Sequence, residues 1–242
     1  MVLKSPREKA GAKRSAIIRA ENVSKVFDLG SGKIQALSGV DLVVRSGDFV
    51  VVYGPSGCGK STLLNIISGA EEPSTGKVTV RDQDIFKMTD DERGAFRSKK
   101  MGIIYQASYW IKSLSVIENV ALPLIIDGTS EQVAISRAAE VLGSLKIGKL
   151  AKQNPAQLSG GEQQRIGLAR ALISNPHIII ADEPTGNLDS TASDEIMALF
   201  STLNRQAKKA ILLVTHNQAY WDFGTRRIEM KDGAIVREVH HG

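Results

Sequence analysis

The chain has 242 residues, 42% of them apolar, and a formal charge of +5; that length suits one large α/β domain with room for an inserted subdomain. Its longest apolar stretches fall short of the roughly 20 residues needed to cross a bilayer, no apolar core follows the charged start as a secretory signal requires, and the single cysteine excludes an internal disulfide framework. The cytoplasm is therefore the expected compartment, and the positive charge is compatible with anionic lipid or nucleic acid without demonstrating either.

The chain begins with Lys4, Arg7, Lys9, Lys13 and Arg14 against one acid, Glu8. This polar stretch has little periodicity and reads as a mobile basic tail over residues 1–16. Residues 17–23 read as a strand, with a second segment around Lys25, Val26 and Phe27 and a turn at residues 30–33. Residues 34–37 and 40–44 read as further strands, the latter partly alternating. Phe27 is the one large aromatic here, and its ring could stack on a purine. The residues alone favour that no more than a core or edge phenylalanine.

The apolar run at 49–53 reads as a buried strand. It leads into Gly54, Pro55, Ser56, Gly57, Cys58, Gly59, Lys60, Ser61 and Thr62, which match G-x-x-x-x-G-K-[ST] without a mismatch and open a helix. The glycines let backbone N–H groups turn inward around phosphate oxygens. The helix start adds free N–H groups, Lys60 can neutralise the β and γ phosphates, and Ser61 can hold Mg²⁺ through its hydroxyl. Cys58 beside a helix N-terminus favours a thiolate open to modification; a buried small filler is the equal reading. Residues 69–76 form a loop, and residues 77–80 and 83–85 a short strand pair.

A polar helix is expected at 90–97, capped by Thr89 or Asp90. A strand at 101–105 ends at Gln106, whose amide could reach Mg²⁺ or an attacking water, although a surface glutamine is the plainer reading. Tyr109, Trp110 and Ile111 beside Leu114 and Val116 form an aromatic cluster, either a partner surface or a subdomain core. Trp110 is the candidate for contact with another protein. Ser115 and Glu118 fit a capping box, starting a helix that runs toward Leu122 and that Pro123 ends or kinks. Residues 130–145 carry Ala134, Ala138, Val141, Leu142 and Leu145 on one side of a helix. The stretch from about Met88 to Asn154 is thus mainly helical.

Leu158, Ser159, Gly160, Gly161 and Glu162 precede an apolar helix. Ser159 can cap it and bind phosphate, and the two glycines leave N–H groups accessible, giving a second anion-binding helix start. An apolar strand at 178–181 then delivers Asp182, suited to Mg²⁺, and Glu183, suited to orient or deprotonate a water. A turn through Asp189 leads to a helix through Ala192, Ile196, Leu199 and Phe200. A buried strand at 210–214 ends in Thr215 and His216, which could bond a γ-phosphate. A hairpin around residues 231–233 closes the domain.

In this order, Phe27, the loop 54–62, Gln106, the segment 158–162, the strand into Asp182 and Glu183, and His216 resemble an ABC transporter ATPase subunit, over residues 17–236. The expected fold is α/β: a P-loop NTPase core with a mixed central sheet, an N-terminal antiparallel β region and an inserted mainly helical subdomain. The core takes residues 17–87 and 166–237, the subdomain with its 158–162 segment takes 88–165, and 238–242 form a tail. The resemblance implies two copies bound head to tail around two ATP molecules. Phe27 would stack on adenine, Gln106 would sense Mg²⁺ and join the site to a membrane contact, and Ser159 and Gly161 would bind the γ-phosphate held by the other copy. Asp182 would belong to the magnesium site, Glu183 would be the base, Asp189 would lie between the two sites, and His216 would hold the γ-phosphate. Partners would be a second copy and an integral membrane subunit contacted between Gln106 and Val120, on the cytoplasmic side of the inner membrane, with no nucleic acid. Residues 181–189 and 118–120 look like the macrolide-exporter, lipoprotein-releasing and cell-division branch. Asn217, where that branch usually has aspartate, and the bulkier stretch Tyr109, Trp110, Ile111, Lys112 depart from it. The competing readings are a soluble ABC ATPase acting on DNA or the ribosome, an ATP-binding scaffold with slow turnover, and an importer ATPase.

Overall fold

A computed structural model describes residues 15–30, 32–107 and 109–240. The basic residues 4–14 lie outside them. The chain builds two sheets. One is four-stranded, in the order β2 (Lys33–Arg45), β1 (Ala16–Asp28), β4 (Thr75–Val80), β5 (Gln83–Asp84), all antiparallel. The other is six-stranded, in the order β10 (Ala234–His240), β9 (Arg226–Lys231), β3 (Phe49–Tyr53), β8 (Ala210–Thr215), β7 (Ile178–Asp182), β6 (Met101–Ile104). Its strands pair in parallel except β9 with β10, so the central sheet is mixed, with an antiparallel β region before it.

The central strands are apolar throughout because both faces are covered. Side chains alternate across the sheet. Val50, Val52, Ile178, Ile180, Leu212 and Val214 pack on one face toward the antiparallel sheet and α1 (Lys60–Ile67). Phe49, Val51, Ile179, Ala181, Ile211 and Leu213 pack on the other. α5 (Gly160–Leu172) and α6 (Ser190–Arg205) pack on that second face, and α3 (Val116–Ile126) and α4 (Glu131–Ser144) extend the same core by packing on α5. Each fully buried Leu, Ile or Phe contributes about 1.5–3 kcal/mol.

Several boundaries differ from the sequence reading. The first two expected strands are one continuous β1, which absorbs a register shift between Ala20 and Val23. Asn22 takes φ 49° there and its N–H bonds Asp41 Oδ1 at 2.8 Å. The bulge hides the strand's continuity, because it resets the alternation. β2 likewise merges two expected strands. Helix α2 (Asp90–Lys100) runs three residues past 97, and Thr89 caps it in a capping box with Glu92. Pro123 does not end α3, which continues to Ile126. Proline removes one N–H, but the turns after it close: Asp127 N bonds Pro123 O at 3.2 Å and Thr129 N bonds Leu124 O at 2.9 Å. β10 runs to His240, past the expected tail boundary at 238. Glu238 is held there by the buried Arg226, whose guanidinium also bonds Asp48 at 2.9 Å. β6 falls within 88–165 yet pairs with β7 in the central sheet, and α5 runs across residue 165. No helix among the described residues is long and apolar enough to cross a membrane.

Candidate nucleotide site

Parallel pairing brings the C-terminal ends of β3, β8 and β7 to one edge, with Tyr53 opposite Thr215 and Asp182 opposite Val214. The residues after those ends make the site. After β3, Gly54 lets the chain pass under β9; a Cβ there would stand 2.3 Å from Met230 O. Gly59 takes φ +99°, and its Cβ would stand 2.4 Å from Ala36 O of β2. Gly57, at φ +78°, meets nothing within 4 Å. The loop is therefore pinned behind and open in front, which is what a backbone cradle for phosphate requires. Cys58 is 4% exposed and lies against Gly54, on the pinned side, as a filler would. Lys60 is 6% exposed, and its ammonium donates to Gly54 O at 2.8 Å and Pro55 O at 3.0 Å. Ser56 stands exposed on the loop, and Thr62 is half-buried on the first turn of α1.

Ser61 Oγ donates to Asp182 Oδ1 at 3.1 Å, joining α1 to the end of β7. Burial pushes the Asp182 carboxyl up from its ordinary value, against the lowering effect of the Ser61 bond; neighbouring Glu183 raises it further and Lys60 lowers it. Such a carboxylate gains from a cation. Among the described residues no group of three or more His, Cys, Asp or Glu could hold a metal. A hydroxyl and one carboxylate suit Mg²⁺, which completes its shell with phosphate and water.

Glu183 has φ +45°, with its N–H on Val214 O at 3.1 Å and its carbonyl accepting from Gly186 N at 3.0 Å. This strained turn lifts the side chain off the strand. His216 Nδ1 lies 2.9 Å from Glu183 Oε1, so the imidazole holds a carboxylate that can accept a proton. Gln106 follows β6, and its amide nitrogen approaches Gly186 so closely that a Cβ there would stand 3.2 Å away. Gln106, Gly160 and Glu183 line one hollow. Lys60, Ser61, Asp182, Glu183, His216 and Gln106 are thus gathered at one sheet edge.

The second helix start borders that hollow through Gly160 and opens on another. Ser159, Gly160, Gly161 and Asp189 line a hollow of about 360 Å³. Ser159 Oγ accepts from Glu162 N at 3.4 Å and donates to its carboxylate at 2.8 Å. The Ser159 hydroxyl and N–H hold the Glu162 carboxyl below its usual range. The glycines have a steric reason the sequence did not reveal: a Cβ on Gly161 would stand 3.0 Å from Ala192 Cβ, and one on Gly160 3.1 Å from Leu188. Asp189 caps α6 through Ala192 N at 2.8 Å. Phe27 is half-buried on β1, opposite Ile34, with the Lys25 ammonium 5.0 Å from its ring centre.

Trp110 faces inward against the second core. Its Nε1 donates to Gln163 Oε1 at 2.9 Å, and Arg170 lies 4.5 Å from its ring centre. Neither Gln163 nor Arg170 stood out in the sequence; their seven-residue spacing on one helix was the available signal. The most exposed aromatic among the described residues is Tyr109, at 74%. It borders an apolar groove of about 440 Å³ with Tyr105, Leu122, Pro123, Ile126 and Arg170.

A family model described as ABC transporter matches residues 37–186. The chain is 41% identical over 224 residues to an uncharacterized ABC transporter ATP-binding protein of Methanocaldococcus jannaschii, covering 93% of this chain and 100% of that protein. It is 38% identical to the lipoprotein-releasing system ATP-binding protein LolD of Psychrobacter arcticus, covering 90% of this chain and 97% of that protein. It is 39% identical to the macrolide export ATP-binding/permease protein MacB of Syntrophobacter fumaroxidans, covering 92% of this chain but 31% of MacB. The fold is similar to the dimeric structure of a bacterial ABC transporter cassette, with TM-score 0.86, 41% identity and coverage of 93% of this chain and 99% of that one.

Proposed function

Because the chain belongs to the ABC transporter family, we propose that it is an ATP-hydrolysing subunit that closes head to tail against a second copy and drives a separate membrane subunit. The observation that carries this reading is the convergence of Ser61 on Asp182 at 3.1 Å and of His216 on Glu183 at 2.9 Å beside the phosphate loop. Lys60 exchanges its two loop carbonyls for phosphate oxygens. Ser61 and Asp182, with Gln106, hold Mg²⁺, which when bound neutralises phosphate charge. Glu183 accepts the proton of the attacking water, and His216 orients that carboxylate and reaches the γ-phosphate. Phe27 stacks on adenine. Ser159, Gly160 and Gly161 serve the nucleotide of the other copy, and Asp189 sits between the sites. That arrangement gives the second helix start a purpose a single copy lacks.

The likeness to LolD and MacB supports the branch that exports, extracts lipoprotein or transmits force across the envelope. On this reading a membrane subunit supplies what the permease part of MacB's name denotes, and the ATPase works on the cytoplasmic face of the membrane. That subunit seats a segment in the groove beside Tyr105, Tyr109 and Ile126, within the helical region 88–165.

The test is affinity capture from detergent-solubilised cells with ATP and Glu183→Gln, which slows hydrolysis by about 10²–10⁴-fold. The expected result is a membrane protein at near one-to-one stoichiometry. Recovery of ribosomes or DNA without a membrane subunit overturns the transporter reading and leaves the ATPase chemistry standing.

A further inference from the structure

Three contacts bind the loop after Gln106 to α5, and a fourth ties α5 to the residue that enters it. The Trp110 indole N–H donates to Gln163 Oε1 at 2.9 Å. The same Gln163 amide donates through Nε2 to Leu158 O at 2.9 Å. Arg170, seven residues and two turns further along α5, lies 4.5 Å from the Trp110 ring centre. Arg170 also donates to Tyr109 O at 3.2 Å, where Tyr109 takes φ +41°. Leu158 directly precedes Ser159, the cap of α5. One glutamine thus spans from Trp110 to the backbone that enters the capped turn, and Tyr109 and Arg170 border the apolar groove.

We propose that Trp110 is a positioning residue for the Ser159, Gly160 and Gly161 turn, fixing through Gln163 the pose in which that turn meets the nucleotide of a second copy. The inference rests on the head-to-tail reading above. Its chemistry is a fixed amide. With the indole N–H present, Gln163 Oε1 has a donor, so its Nε2 is directed to Leu158 O and the amide has one orientation. Without it the amide keeps one anchor in place of two, can swing away from Leu158 O, and the helix entrance gains freedom that binding must then remove. Neither Trp110 nor Gln163 belongs to the phosphate-loop group, so nucleotide binding by a single copy is left intact. The groove gains a route toward the second anion site as well, because Arg170, which borders the groove, also lies against the Trp110 ring.

The test uses Trp110→Phe, which keeps a ring for Arg170 and the core but lacks the donor, and Gln163→Leu, each in the Glu183→Gln protein. Two constants are measured: affinity of the dilute monomer for a fluorescent ATP analogue, and dissociation of the ATP-bound dimer by sedimentation. Each variant is expected to weaken the dimer by about fivefold, the worth of one net hydrogen bond, with monomer affinity within about twofold. The double variant is expected to lose no more than either single one. Additive losses, an unchanged dimer, or equal losses in both constants overturn the proposal. A parent protein that forms no ATP-dependent dimer overturns the head-to-tail reading and this inference together; a normal dimer indifferent to both variants overturns the inference alone.

Discussion

Asp182 holds a carboxylate where burial disfavours charge, beside Glu183. A carboxyl whose folded pKa is raised binds protons more readily in the folded state than in the unfolded chain. Its contribution to stability is therefore complete below the unfolded value, near 4, and is lost as pH rises through the raised folded value. We predict that Asp182→Asn, without nucleotide or metal, melts above the wild type at neutral pH by about 1–2 °C, a modest effect for a partly screened group. The difference shrinks as pH falls toward 4. Thermal unfolding across pH checks this; a variant that melts lower at neutral pH contradicts it. Mg²⁺ with ATP reverses the order, because only the wild type has the carboxylate to bind it. The letters Lys60, Ser61, Asp182, Glu183 and His216 were legible in the sequence because phosphate chemistry restricts the residue types. The left-handed backbone of Glu183 was not, since φ +45° at a glutamate follows from the turn through Gly186 and the bond to Val214 O. Trp110 was ambiguous for a related reason: its inward bond partner, Gln163, is 53 residues away.

At the level of the phosphate loop, two glycines with similar backbone angles have different jobs. A Cβ on Gly59 would stand 2.4 Å from Ala36 O, whereas one on Gly57 would face open space. Gly59→Ala is expected to destabilise the protein by about 3 kcal/mol or more, since backbone must move. Gly57→Ala is expected to cost about 1 kcal/mol from the backbone angle alone, with a larger loss in ATP affinity. Urea unfolding and nucleotide titration separate the two; equal destabilisation would refute the distinction. Helices were read well where caps are explicit, as at Thr89, Ser115 and Ser159. They were misjudged where a rule met tertiary context: Pro123 stays within α3, and β1 is one strand because a bulge at Asn22 shifts its alternation. A single sequence carries the breaker but not the contacts that outvote it.

Across the whole molecule, the two-faced character of β3, β7 and β8 was legible in their unbroken apolar runs, and so was the helical stretch between two strand-rich parts. The strand order was not, because it depends on pairings between distant segments. β3 lies between β8 and β9, whose residues follow it by more than 150 positions. The loop after β3 is also held by the β9–β10 turn: Gly233 N bonds Cys58 O at 3.1 Å, and Ser38 N bonds Gly233 O at 2.9 Å. On a translating ribosome the phosphate loop therefore emerges long before its supports, by roughly 10–35 s at ordinary elongation rates. Nascent chains stalled with residues only to 224 exposed are expected to bind no fluorescent ATP analogue, whereas chains exposed to 240 bind it. Tight binding by the shorter chains would contradict this. Nucleotide capture then becomes a signal that the chain has been made through β10, and until it occurs the apolar central strand is a substrate for chaperones.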